Sequence, residues 1–264
     1  MTKRGRTKLQ AEERGARDVA GGRRVLLDFE VGRERLPAVL LHPITERPVP
    51  AALLLHGYTS HKERMVESVG RSLLRRGIAS LAVDLPMHGE REGSTDVRTL
   101  RSPFEVVRQW RAAMAEGHLA LGWMGAHPAL DGDRLALVGY SLGAFLGVAI
   151  AAEVPAVRAV VLAAGGDLPA DLPFGALVRT VADPPRAVRH LEGRPLLMVN
   201  GRLDRTVRPD QATRLFEAAR EPKEIRWYGG GHWPPANEID AATDWLATRL
   251  TGQQLGDRLG RGVG

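Results

Sequence analysis

The sequence predicts a single α/β domain built on a mostly parallel sheet of eight strands with helices on both faces. Three observations carry this expectation. Short β-prone apolar runs alternate with longer amphipathic stretches along the chain. The 264 residues, 44% of them apolar, are enough for one large core, and α/β folds often reach this size as one domain. Several of the runs are continuously apolar, as strands covered on both faces must be.

Residues 24–31 (RVLLDFEV) and 35–43 (RLPAVLLHP) flank Gly32-Arg33 and read as an opening antiparallel hairpin. Buried-strand runs follow at 51–55 (AALLL), 78–83 (IASLAV) and 134–138 (RLALV). Later strands are expected at 157–163, 195–199 and 223–228. Between them, Met65, Val66, Val69, Leu73 and Leu74 share one helical face, and Gly77 follows as a stop. Pro103 opens a helix carrying Val106, Val107, Trp110 and Met114. The run LGAFLGVAIAAEV after Ser141 is apolar nearly all round, which predicts a helix buried against the sheet. Pro209 starts a helix through Ala219, and Pro234-Pro235 leads into a last one with Ile239, Trp245 and Leu246.

The expected organisation is a basic, flexible arm over 1–22, a globular domain over 23–252 and a Gly-rich tail over 253–264. Charge follows these boundaries. The net charge is +6, but residues 1–24 hold eight Lys/Arg against three Asp/Glu, and residues 25–252 balance 27 basic against 27 acidic side chains. With the excess in a terminal segment that lacks aromatic residues for base stacking, a nucleic-acid partner is not expected. The chain has no Cys, which excludes a disulfide framework, a thiolate metal site and a Cys nucleophile. No apolar run approaches the roughly 20 residues needed to span a bilayer, and the basic start lacks the apolar core of a secretory signal. A cytoplasmic protein without membrane contact is the expectation.

Chemistry concentrates in Gly139-Tyr140-Ser141-Leu142-Gly143. In a chain with 30 Gly the pentapeptide alone is weak, and its competing explanation is an ordinary helix N-cap serine. Its setting is more specific: an apolar strand before and a buried helix after would place the serine on a sharp turn with its hydroxyl exposed. A serine hydroxyl needs an adjacent base held by a third group, in the chain order Ser, acid, His for this kind of turn. Of eight His, only His190 and His232 follow Ser141. His190 looks like a surface residue near a helix end, whereas His232 sits after Gly229-Gly230-Gly231 in a loop beyond the last strand. His232 is therefore taken as the base. Asp204, in the loop after 195–199, is taken as the acid; the competing role is a turn aspartate capping local amides. Asp210 better fits the start of the next helix.

This set resembles the α/β-hydrolase superfamily over about residues 24–250. His56-Gly57-Tyr58 is similar to the family's His-Gly oxyanion loop, which implies the backbone N–H groups of Tyr58 and Leu142 as oxyanion donors. Asp84-Leu85-Pro86-Met87-His88-Gly89-Glu90-Arg91 is similar to a loop of dienelactone-hydrolase-like and related small carboxylesterases. Gly201-x-x-Asp204-x-x-Val207-x-Pro209 matches the family's acid loop. True dienelactone hydrolases use a Cys nucleophile, absent here, so their substrate is not implied. The resemblance implies an α/β-hydrolase fold and a carboxylesterase-type serine hydrolase.

For His56 and His88, hydrogen bonds tying loops together are expected. His56, His61 and His88 are the only metal candidates, and without a His-x-x-x-His pair or a carboxylate cluster neither metal nor cofactor is assigned. The expected partner is a small ester. The segment 165–194, with Leu172 and Phe174, reads as a short lid that sets specificity. Met87 and Trp233 are either further walls of the substrate pocket or ordinary packing. Amide, peptide or thioester hydrolysis by the same triad, and a non-catalytic binding protein on this fold, are the alternatives. Oligomeric state, monomer or homodimer, is open.

Overall fold

In the computed structural model, residues 11–32, 34–91, 102–170 and 175–252 are described. Among these residues one sheet of nine strands runs in the order β1-β2-β3-β5-β4-β6-β7-β8-β9. β1 (Ala11–Val19), β2 (Gly22–Val31) and β3 (Glu34–His42) form an antiparallel meander, and β3 pairs antiparallel with β5 (Ala79–Val83). From there β5, β4 (Val49–Leu55), β6 (Leu130–Tyr140), β7 (Val157–Ala163), β8 (Leu196–Gly201) and β9 (Lys223–Tyr228) are all parallel.

The ninth strand corrects the expected count of eight, and it lies inside the segment expected to be a flexible arm. Its side chains are mostly exposed, with buried-side contact only at intervals, so no apolar period marks it. Backbone pairing along β2 holds it, closed by a two-residue turn at Ala20-Gly21 with Gly21 at φ 82°. Arg14 adds ion pairs to Asp28 and Glu90. Residues 1–10 and 253–264 lie outside the described residues.

Alternation along each strand sorts the core into two layers. From β4, Ala51, Leu53 and Leu55 join Leu135 and Leu137 of β6 on one face. That face is covered by α3 (Pro103–Ala126), α4 (Leu142–Glu153), α6 (Pro184–Arg189) and α7 (Pro209–Ala218). Ala52, Leu54, Ala136 and Val138 point to the other face, under α1 (Lys62–Met65), α2 (Arg71–Leu74) and α8 (Ala236–Thr251). A π turn, Val66–Gly70, joins α1 to α2 in place of the single regular helix expected there. Helix α3 begins on a capping box in which Ser102 and Glu105 satisfy each other's backbone N–H, with Pro103 at the first helical position.

Part of the span 165–194, expected to be a lid, packs into the core, and residues 171–174 lie outside the described residues. The span contains α5 (Gly175–Arg179), which buries no residue, and α6, whose Val188 is fully buried along with Leu191 in the core beneath α4. Val188 and Leu191 recur at helical spacing, which makes that half of the span part of the packed domain.

Candidate active site

The loops that follow β4, β5, β6 and β7 share an unusual backbone. Thr59 (φ 60°), Met87 (φ 67°), Ser141 (φ 51°) and Ala164 (φ 49°) are the four non-glycine residues with positive φ among the described residues, and each lies within four residues of the end of a parallel strand. Left-handed backbone in non-glycine residues costs about 1 kcal/mol or more each and persists where the surroundings over-determine it. Strain is thus gathered on the carboxyl rim of the sheet, where ligands of open α/β sheets bind.

Ser141 forms the turn between β6 and α4. Its N–H donates to the Ala163 carbonyl at 2.9 Å, and its own carbonyl accepts from Ala144 at 2.8 Å, so the turn is pinned on both sides. The next turn must pass close to β4. A Cβ on Gly143 would stand 2.1 Å from the Leu55 carbonyl oxygen, and only glycine permits that approach. It brings the start of α4 beside the loop 56–61 that follows β4. Leu142 opens the helix, and its N–H is one of those left without an acceptor inside the helix.

His232 bridges the other two residues. Its Nδ1 lies 2.8 Å from Asp204 Oδ2 and its Nε2 lies 2.9 Å from Ser141 Oγ. Asp204 is acceptor-only when ionised, so Nδ1 carries the proton and Nε2 accepts from the serine hydroxyl. Asp204 is buried, and its Oδ1 takes the N–H groups of Thr206 (2.8 Å) and Val207 (3.0 Å). One carboxylate oxygen thus faces His232 while the other caps the turn amides.

Two tyrosines hold the histidine loop, and nothing in their sequence spacing announced them. The Tyr140 hydroxyl donates to the His232 carbonyl at 3.3 Å, and the Tyr228 hydroxyl donates to the Gly231 carbonyl at 2.8 Å. Burial raises both phenols above the ordinary tyrosine range, which keeps them protonated donors. Gly201 lets the acid loop and the histidine loop touch, since a Cβ there would lie 2.1 Å from the Gly231 carbonyl.

The loop after β4 is supported from below. His56 is fully buried; its Nε2 accepts from the Leu85 N–H at 3.0 Å and its Nδ1–H donates to the Gly57 carbonyl at 2.8 Å. His88 donates from Nδ1 to the Pro86 carbonyl at 2.8 Å. Both histidines thus fasten loops, as expected. Buried Lys62 supplies a second anchor: its N–H and its Nζ each meet the Asp84 carboxylate at 2.8 Å, and Nζ also meets Glu90 at 2.6 Å. The Lys62 hydrogen bond holds the Glu90 carboxyl down at about 2. This cluster had no signature in the sequence beyond the charges themselves.

Among the expected substrate contacts, Met87 sits half-buried in the loop after β5 and Trp233 stacks on Tyr140 at 4.6 Å. Leu172 and Phe174 lie outside the described residues. His190 caps the end of α6 and is exposed, as expected. Among the described residues no three His, Asp or Glu side chains are grouped to hold a metal, and no helix is long and apolar enough to cross a membrane.

A family model described as the alpha/beta hydrolase family matches residues 52–195. The chain is 28% identical over 250 residues to esterase YjfP of Escherichia coli (strain K12), covering 81% of this chain and 96% of that protein. Acetyl xylan esterase 1 from Thermoanaerobacterium sp. JW/SL YS485 superposes with a TM-score of 0.73 at 21% identity, over 91% of this chain and 87% of that one. A cold-adapted esterase from an Arctic intertidal metagenomic library gives a TM-score of 0.71 at 23% identity, over 92% and 99%. At these identities the two structures establish a shared fold.

Proposed function

The chain belongs to the alpha/beta hydrolase family, and from that premise we propose that it is a serine esterase in which Ser141, His232 and Asp204 cleave a small carboxylic ester through an acyl-enzyme. The observation that carries the proposal is the continuous relay from Ser141 Oγ through His232 to Asp204, at 2.9 and 2.8 Å. Kinship across nearly the whole length of an Escherichia coli esterase supports the choice of ester.

Ser141 Oγ attacks the ester carbonyl as its proton passes to His232 Nε2. Asp204 stabilises the imidazolium through Nδ1–H and keeps its own charge. The carbonyl oxygen, now an oxyanion, takes the N–H groups of Tyr58 and Leu142. Collapse of the tetrahedral species expels the alcohol, which receives the proton from His232 and leaves the acyl group on Ser141. Water then attacks that acyl group, gives its proton to His232, and releases the carboxylic acid as Ser141 recovers its hydrogen. General-base catalysis is worth roughly 10²–10⁴ in rate, and one oxyanion donor about 10²–10³. Among the described elements of the lid segment, α5 buries no residue and α6 packs into the core, and a lid this short favours a modest acyl or alcohol group. The cysteine-free composition is in keeping with a cytoplasmic setting.

The test pairs a fluorophosphonate probe with p-nitrophenyl esters of increasing chain length. Wild-type protein is expected to be labelled on Ser141 and to turn over the shorter esters. Ser141→Ala is expected to lose the label and about 10⁴–10⁶ in kcat, and Asp204→Asn about 10⁴, with the fold intact in both. Absence of both labelling and ester turnover in the wild type would sink the proposal.

A further inference from the structure

Behind the catalytic turn, on the α8 face of the sheet, lies a cavity of about 300 Å³. Its floor is Val138, Val161 and Val199, from the carboxyl halves of β6, β7 and β8. One wall is Met65 and Val69, from α1 and the π turn, and the other is Ala242 and Leu246 of α8. Neither Ser141 nor His232 lines it. Tyr140 is the partition: it lines the cavity, immediately precedes the nucleophile, and its hydroxyl holds the His232 carbonyl.

Most of the lining is apolar, with Ser60, Ser68, Tyr140 and Thr243 as its hydroxyl-bearing residues. The hydroxyl of Ser68 donates to the Arg64 carbonyl, and that of Thr243 donates to the Asp240 carbonyl. The mouth carries one charge of each sign, Arg64 and Glu238, and the Arg64 guanidinium lies over the Trp233 ring at 4.4 Å. Opposite charges at the rim give a charged guest no net electrostatic gain. An apolar cavity of roughly 150 Å³ already admits benzene, so a pocket of about 300 Å³ has room for a single ring.

We propose that this cavity is a binding site for a small uncharged apolar molecule, of single-ring aromatic or short aliphatic type, separate from the space in front of Ser141. The site stands on packing alone, independent of the esterase reading, and its occupant rests against Tyr140 and Trp233, the two rings that back the His232 loop.

Toluene is the probe, added to the full chain. The melting temperature is expected to rise saturably, by about 2–5 °C at ten times Kd. Nuclear Overhauser contacts are expected from the toluene ring to the methyl groups of Val69 and Leu246. Ala242→Phe and Val69→Phe fill the cavity from opposite walls, and each is expected to abolish the toluene-dependent rise. Fluorophosphonate labelling of the wild type is expected to reach completion with toluene present. The proposal is overturned by a wild type that shows no saturable rise, or by a rise that persists in the filled variants. Contacts confined to residues around Ser141, or labelling blocked by toluene, would overturn it equally. If a filled variant fails to fold, the contacts in the wild type decide alone.

Discussion

His56 shows how a single buried side chain sets the response of the protein to acid. Burial lowers its pKa from the ordinary 6.5 to about 4, against a partly offsetting hydrogen bond to Gly57. The folded state thus holds it neutral while the unfolded chain takes up a proton below 6.5. Stability is fully present above that value and is lost as pH falls from about 6.5 to about 4. Between about pH 7.5 and about pH 5 this one group is expected to remove about 2 kcal/mol. Urea unfolding at both pH values checks it: His56→Asn should be weaker at the higher pH yet show a flatter pH dependence. An unchanged slope would mean that other groups carry the acid sensitivity. At this scale the three residues that the structure brings together were legible. Ser141, Asp204 and His232 each sit among glycines and turn formers, in the chain order that this kind of strand-turn-helix restricts. Tyr140 and Tyr228 were not, because a tyrosine that donates one hydrogen bond to a distant carbonyl leaves no periodic trace.

Among the elements, α1 and the loop after β5 are joined by one buried ion pair, Lys62 with Asp84 at 2.8 Å, both fully or almost fully buried. Removing one partner strands the other charge in a site built for two. Lys62→Met is expected to lower the unfolding free energy by about 3–5 kcal/mol. Glu90 is partly exposed, and Glu90→Gln is expected to cost under about 1 kcal/mol. Equal urea midpoints for the two variants would contradict this account. The elements themselves were largely readable. Strands covered on both faces announce themselves by apolar runs, and Pro at a first helical position marked α3 and α7. The π turn was hidden, since Met65, Val66, Val69 and Leu73 also fit one regular helix. The packing of the second half of 165–194 was hidden too, because Val188 looks the same in sequence over a site as it does under a core.

For the whole molecule, β1 settles how the sheet ends. It is a polar strand whose pairing covers the edge of β2, and β2 carries Val25, Leu27 and Phe29 into the core. Deleting residues 1–21 would leave the outer edge of β2 unpaired along most of its length while β3 still holds the other edge, and an open edge is a template for another chain. The truncated protein is expected to melt lower and to form larger species in light scattering at concentrations where the full chain does not. A truncated protein that melts and sizes like the parent would show that β1 is dispensable. The sequence concealed this strand because it is held by backbone bonds and by Arg14, and neither produces hydrophobic alternation.

The four left-handed residues on the rim of the sheet also bear on descent. Thr59, Met87, Ser141 and Ala164 are kept off their preferred backbone by neighbours that a catalytic task would maintain. In a lineage released from that task, glycine at these positions would relieve the fold, so the rim should drift before the core does. Heat-adapted descendants that still turn over substrate face the opposite constraint: they must gain stability elsewhere and leave this rim tense.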